Sequence, residues 1–466
     1  MVRFALLAAL ALGASPADGA ERKPNVVVIL ADDVGHADLG CFGQKELHTP
    51  RLDRMAKEGM KLTQFYAGGG SGVPSRAVLL TGLHGGRAPV RGNAPSPRGI
   101  PDDVPTVARA LQKAGYATAC CGQWGIGPSA ALGAPNAAGF DHFFGAVNLP
   151  HANNPYPEFL VRNGKVVPLK NEAAADWKKW QDPKLPDAGK GVAAKKVDYA
   201  PDLILDDALA FVRANKEKPF FLYLALTVPH ANPAGGASGL DVPNLGPFAE
   251  KDWPAAEKAF AAQIRAMDRD AGRVLDLLTE LKLDRDTLVL FASDNGPHAE
   301  CGHKPEFFRS TGKMRGAKGE LFEGSIRVPG IAWWPGTVPA GAANDLQWYL
   351  GDVFATAAEL SGAPLPPGLD SDSMVAALKG GEEKDKWKRK SALYWESYDG
   401  PTWQATRFGK WKAIRSPMLT GEVVLYDMSN DTGEKSDYAK RRPDLLKHAT
   451  NLLDKRHTPD PRAEKK

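Results

Sequence analysis

The sequence predicts an α/β fold, a large and mostly parallel sheet sandwiched by helices, followed by a small C-terminal α+β domain. Two observations carry the prediction. Over the first three-quarters of the 466 residues, unbroken apolar runs at 26–30, 117–121, 220–227, 287–292 and 331–334 alternate with amphipathic helical stretches. A strand without polar alternation is buried on both faces, which is the situation of strands in a parallel sheet whose crossovers are helices. Beyond a Pro/Gly-rich stretch at 362–368 and a Lys-rich one at 380–391, the pattern changes to short strands separated by turns.

Taken in order, Val26-Val27-Val28-Ile29-Leu30 is continuous and rich in β-branched residues, the signature of a central strand. Thr49-Pro50 supplies a cap and a first-turn proline for a helix through Met55, and Thr106 opens a second helix that closes at Gly115. The strand at 117–121 follows. Residues 202–214 are amphipathic, 220–227 is a third strand, 255–281 is a long helix, and 287–292 and 331–334 complete the sheet. Two stretches rich in Gly, Pro, Asn and Lys, 145–200 and 231–253, are expected to be irregular and to build a substrate rim. In the tail, 392–394, 404–407, 411–415 and 423–426 read as strands and 443–455 as a helix. The expected division is a signal peptide at 1–20, a large domain at 21–375 and a small domain at 376–466.

Composition narrows the class. With 43% hydrophobic and 24% charged residues the chain is an ordinary globular one, and a net charge of +4 gives no electrostatic case for nucleic acid or for a polybasic membrane contact. Met1-Val2-Arg3 and the apolar run 4–14, with Ser15-Pro16-Ala17 or Ala20 as cleavage positions, read as an export signal too short to span a bilayer. A periplasmic or extracellular protein is expected, without membrane insertion. Cys41, Cys120, Cys121 and Cys301 form no Cys-x-x-Cys motif and read as structural; adjacent Cys120 and Cys121 on a strand must point to opposite faces.

Chemistry gathers at strand ends. In open α/β sheets, ligands bind outside the carboxyl ends of the strands. Here those ends carry Ala31-Asp32-Asp33, Val228-Pro229-His230 and Ser293-Asp294-Asn295-Gly296. Alone, Asp-Asp reads as a helix cap and Asp-Asn-Gly as a turn. Together, each after an apolar strand, they point to converging carboxylates that repel unless a cation neutralises them. An all-oxygen set suits Ca²⁺ or Mg²⁺ rather than zinc.

Residues 71–82, Ser-Gly-Val-Pro-Ser-Arg-Ala-Val-Leu-Leu-Thr-Gly, resemble the signature of the sulfatase family (arylsulfatase and N-acetylgalactosamine-6-sulfatase kinds, alkaline phosphatase superfamily), Cys/Ser-x-Pro-x-Arg followed by an apolar helix and Thr-Gly. Met314-Arg315-Gly316-Ala317-Lys318, Glu323-Gly324-Ser325-Ile326-Arg327-Val328-Pro329, Gly409-Lys410-Trp411-Lys412 and Leu425-Tyr426-Asp427-Met428 extend the likeness over nearly the whole mature chain. The resemblance implies a calcium site of Asp32, Asp33, Asp294 and Asn295. It also implies Arg76 holding the nucleophile, His230 contacting the sulfate and assisting the leaving group, and Lys318 binding the sulfate. The implied partners are sulfated carbohydrates or aryl sulfates. His298 and His303 lie just past the metal motif, where solvated loop histidines are the plainer reading.

Three positions depart from the family pattern. Its nucleophile is a formylglycine made from the first residue of the signature, and here that position is Gly72, with no side chain to oxidise. Gly122-Gln123-Trp124-Gly125-Ile126-Gly127 aligns with Gly-Lys-Trp-His-x-Gly, so Gln123 and Gly125 replace a lysine and a histidine. No formylglycine is expected, and covalent catalysis fails without its nucleophile. Three readings stay open: a calcium-binding protein that recognises sulfate esters and is impaired in hydrolysis, an active hydrolase using a metal-bound water with His230 as the acid, or a scaffold of this family that has lost ligand binding altogether.

Overall fold

The computed structural model describes residues 22–93, 99–127, 131, 133–185 and 187–459, with the side chain of residue 383 excepted. The signal-peptide expectation at 1–20 lies outside the described residues.

An eleven-stranded sheet forms the body. Its strands are β1 (Asn25–Ala31), β2 (Met60–Tyr66), β3 (Ala117–Gln123), β4 (His142–Ala146), β5 (Phe159–Arg162) and β6 (Lys165–Pro168). After a separate two-stranded ribbon, β7 (Glu172–Ala173) and β8 (Ala193–Lys195), come β9 (Phe220–Ala225), β10 (Thr287–Ser293), β11 (Arg327–Val328), β12 (Gly330–Trp333) and β13 (Ala342–Tyr349). Spatial order is β11-β2-β12-β10-β1-β9-β3-β4-β5-β6, with β13 alongside β2. The centre, β10-β1-β9-β3-β4, is parallel throughout. Both margins turn antiparallel except for β13, which runs parallel to β2, and the strand expected at 331–334 is β12, antiparallel to β10.

Alternate residues of β1 feed two cores. Val26, Val28 and Leu30 pack against the helices Gly72–Thr81, Val107–Lys113 and Asp352–Ser361. Val27, Ile29 and Ala31 pack against Pro50–Glu58, Ala200–Ala214 and Ala255–Glu280. This two-sided burial is what the unbroken apolar run requires. Cys120 and Cys121 fall in opposite cores as adjacency dictates, and all four cysteines are free.

Several strands were not expected from the sequence: β2, β4 and β13 in the sheet, and β5 to β8 inside the stretch read as irregular rim. Thr106 caps its helix as expected, its side chain accepting from the Arg109 N–H. In the tail, β14 (Leu393–Ser397), β15 (Trp403–Phe408), β16 (Trp411–Arg415) and β17 (Val423–Asp427) form an antiparallel sheet, with the helix Pro443–Arg456 packed on it. Its other face shares a core with the body, where Leu393, Trp395 and Ile414 meet Tyr66, Val78, Ile326 and Tyr349. The Trp395 indole donates to the Ala67 carbonyl, and Lys412 lies fully buried between Glu323 and Glu434. Among the described residues, no helix is long and apolar enough to cross a membrane.

Candidate functional site

Register brings the acidic strand ends together. Ala31 of β1 pairs with Ser293 of β10, so Asp32 and Asp294 leave the sheet side by side, and β9 on the other flank of β1 leads to His230. The Asp33 backbone, at φ 71°, occupies the left-handed region that Asp tolerates better than branched residues. Its N–H donates to Asp294 Oδ1 at 3.2 Å, and Asn295 Nδ2 donates to Asp33 Oδ1 at 2.6 Å. Asp32, Asp33, Asp294 and Asn295 are all buried.

Too much negative charge is buried here for the groups present. Burial, reinforced by the neighbouring acids, pushes the Asp32 and Asp294 carboxyls up to about 7. Asn295 Oδ1 is buried without a hydrogen-bond partner. An orphaned amide oxygen beside three carboxyl groups is the donor set a hard divalent cation takes, so the residues fit the ion the sequence implied.

Two side-chain cations already lie among them. Arg76, in the first half of the Gly72–Thr81 helix, is wholly buried; its Nη2 donates to Asp294 Oδ2 at 2.8 Å and Asp32 Oδ2 at 3.1 Å. Its Nη1 reaches the Tyr223 hydroxyl and the Gln123 carbonyl, both at 3.4 Å, while Nε has no partner. Lys318 donates to Asp33 Oδ2 and His230 Nε2, each at 2.8 Å, and lies 3.5 Å from Glu300. Although burial opposes charge on both, Lys318 and His230 hold Asp33 well below the usual carboxylate range, and Asp33 and Glu300 hold Lys318 above the usual lysine range. His230 lies within 4.8 Å of both Asp32 and Asp33, at ligand-atom distances that could share a cation. Its Nδ1 contacts the Ala231 carbonyl at 2.5 Å, which places the ring proton there and leaves Nε2 to accept from Lys318. Burial, with Lys318 adding, lowers its basicity.

The three departures cluster as well. A β-carbon built on Gly72 would lie 2.7 Å from Asp294 Oδ2 and 3.7 Å from Arg76 Nε, so position 72 faces the acidic group directly. One built on Gly125, at φ 70°, would meet Gln123 Nε2 at 3.4 Å and Val73 Cγ2 at 3.6 Å. Both polar atoms of the Gln123 side chain are buried and unpartnered. Arg76 Nε, the Gln123 amide and Asn295 Oδ1 are thus buried polar atoms without hydrogen-bond partners, which a polar ligand would satisfy.

His298 and His303, read as solvated, are instead buried; His298 contacts the Pro229 carbonyl and His303 pairs with Glu257. Sequence reasoning also missed Asp399, which accepts from the Ser71 hydroxyl at 2.5 Å and the Asn93 N–H at 2.8 Å. Asn93 in turn accepts from Val73 N–H, so a loop of the tail secures the helix that begins at Gly72. The Asp399-Gly400 pair signals a turn, but nothing in it signals residue 71.

With this geometry established, comparison with known proteins is direct. Residues 24–363 match the family model described as Sulfatase. Arylsulfatase A of Homo sapiens is 33% identical over 473 aligned residues, spanning 92% of this chain and 85% of that protein. N-acetylgalactosamine-6-O-sulfatase of Bacteroides thetaiotaomicron is 30% identical over 511, spanning 93% of each. The solved structure of Ps i-CgsB in complex with k-i-k-neocarrahexaose matches with a TM-score of 0.79 at 27% identity over 94% of both chains. On the family model and on these relatives, the chain belongs to the sulfatase family.

Proposed function

We propose that this chain recognises sulfate esters, on sulfated carbohydrates or aryl groups, at a calcium-dependent site that is impaired in formylglycine-dependent hydrolysis. The observation that carries the reading is the 2.7 Å between Asp294 Oδ2 and the β-carbon position of Gly72. Where a nucleophile would project, there is no side chain and a carboxylate fills the space. Asp32, Asp33, Asp294 and Asn295 would hold the ion, and bound calcium would offset their charge and draw a sulfate oxygen inward. Lys318, Arg76 Nε and the Gln123 amide then supply donors to the remaining sulfate oxygens. Gln123 donates without bringing charge, and Gly125 offers neither acid nor base, so two further aids to turnover are missing.

The substrate class follows the relatives, which include sulfatases of N-acetylgalactosamine 6-sulfate and an arylsulfatase. The rival reading, hydrolysis by solvent at the metal with His230 as acid, meets two obstacles in the geometry. Asp294 crowds position 72, and Lys318 donates into His230 Nε2, the atom that would have to deliver a proton.

The test incubates purified protein with an aryl sulfate and a panel of sulfated oligosaccharides, with and without chelator, beside a Gly72→Cys variant produced with a formylglycine-generating enzyme. Calcium-dependent binding without turnover by the unaltered chain is expected. Metal-dependent turnover by that chain overturns the reading.

A further inference from the structure

We propose that Cys121, His142 and Asp207 form a zinc site that fastens the Ala200–Ala214 helix to strands β3 and β4. The three residues come from separate elements, and their ligand atoms all lie within 4.8 Å of one another. Register explains the meeting: Ala119 pairs with His142 and Cys121 with Phe144, so Cys121 and His142 project from the same face of neighbouring strands, beneath the helix that carries Asp207.

Donor chemistry selects the metal. A thiol, an imidazole and a single carboxylate suit zinc, whereas the all-oxygen set at the strand ends suits calcium. Asp207 Oδ2 lies 2.5 Å from His142 Nε2 and 3.8 Å from Cys121 Sγ. Donors around tetrahedral zinc stand about 3.3–3.6 Å apart, so the sulfur is nearly placed and the imidazole must withdraw by under about 1 Å. The His142 side chain is 21% exposed and stacks on Phe211, so solvent reaches the imidazole side of the cluster. Arg162 supports the site from outside: its guanidinium rests 4.4 Å above the Phe144 ring and holds Asp207 Oδ1 at 2.6 Å, leaving Oδ2 facing the thiol and the imidazole. A bound ion would leave its fourth position to solvent. Cys121 stands two residues before Gln123, so the ion would brace the strand that delivers Gln123 to the sulfate site.

Cobalt reports such a site directly. Purified full-length protein saturated with calcium is titrated with Co²⁺, then with Zn²⁺. Thiolate-to-cobalt absorption in the near ultraviolet, visible d–d bands and their loss on adding zinc are expected. Cys121→Ser should remove the near-ultraviolet band, and His142→Gln should weaken zinc binding by more than the roughly 10–100-fold that loss of an outer-shell partner causes. A native spectrum without the thiolate band overturns the proposal whatever the variants do. A band that persists in Cys121→Ser overturns it too, since Cys41, Cys120 or Cys301 would then be its source.

Discussion

Asp294 Oδ2 stands 2.7 Å from the point a β-carbon on residue 72 would occupy, and the same oxygen accepts from Arg76 at 2.8 Å. The glycine at position 72 and the acidic cluster are therefore one feature: the glycine is what lets the carboxylate lie where it does.

Gly72→Ala forces that carboxylate aside. Overpacking of this kind costs about 1–3 kcal/mol, and the displaced oxygen belongs to the proposed calcium set. A lower urea midpoint and weaker calcium binding by titration calorimetry are expected; unchanged calcium affinity would separate position 72 from the ion.

Asp294→Ala should abolish stabilisation by calcium. A ligand at a hundred times its Kd adds about 2.7 kcal/mol to the native state, so calcium should raise the melting temperature of the natural chain and leave the variant's unchanged. An equal response to chelator in both proteins would remove Asp294 from the ligand set.

Lys412 is wholly buried, 3.1 Å from Glu323 and 2.9 Å from Glu434. Breaking a buried ion pair from one side costs about 3–5 kcal/mol because the remaining charge is stranded. Lys412→Met should approach that loss in chemical denaturation, and adding Glu323→Gln should recover part of it; simple additivity of the two would deny the pairing.

His151 and His84 are driven down to about 4 by burial, for His84 against the pull of Asp370. The unfolded chain protonates them near 6.5 while the native chain refuses the proton until about 4. Their stabilisation is therefore complete above pH 6.5 and declines as pH falls to about 4, by up to roughly 1.4 kcal/mol per pH unit for each histidine. His151→Gln, which can still donate to the Phe159 carbonyl, should narrow the stability difference between pH 7 and pH 5. A mutational effect equal at the two pH values would contradict the assignment.

Asp268, on the Ala255–Glu280 helix, accepts from the N–H groups of Arg51 and Leu52 at the start of the Pro50–Glu58 helix. It caps that helix from across the core, where Thr49 makes no side-chain cap of its own. Asp268→Ala should cost about 0.5–2 kcal/mol, with hydrogen exchange quickening first at residues 51 and 52; protected amides there would leave the cap without effect.

Much of this molecule was legible in its residues, and the omissions have physical causes. Strands β1, β3, β9 and β10 announced themselves because burial on both faces demands uninterrupted apolar runs, and the acidic ends of β1 and β10 pointed to the candidate site. Strand β2, Met60–Tyr66, was missed because its inner face shows only as alternation through Lys61, Thr63 and Gln64, directly after a helix. Strand β4 is short and carries Gly145, a poor strand former. Arg76 stood out only through the family resemblance, and nothing local reveals the two carboxylates that reach it from residues 32 and 294. The Ser71–Asp399 contact joins residues 328 apart in the sequence, beyond any periodicity.

That last contact has a consequence for biosynthesis. Asp399 emerges from the ribosome long after the helix it secures, and domains generally fold from the N-terminus onward during translation. The start of the helix at residue 72 thus waits, unfastened, until most of the polypeptide has been made. Fragments ending before residue 399 would carry every acidic strand tip and still lack the clasp that joins Ser71 to Asn93.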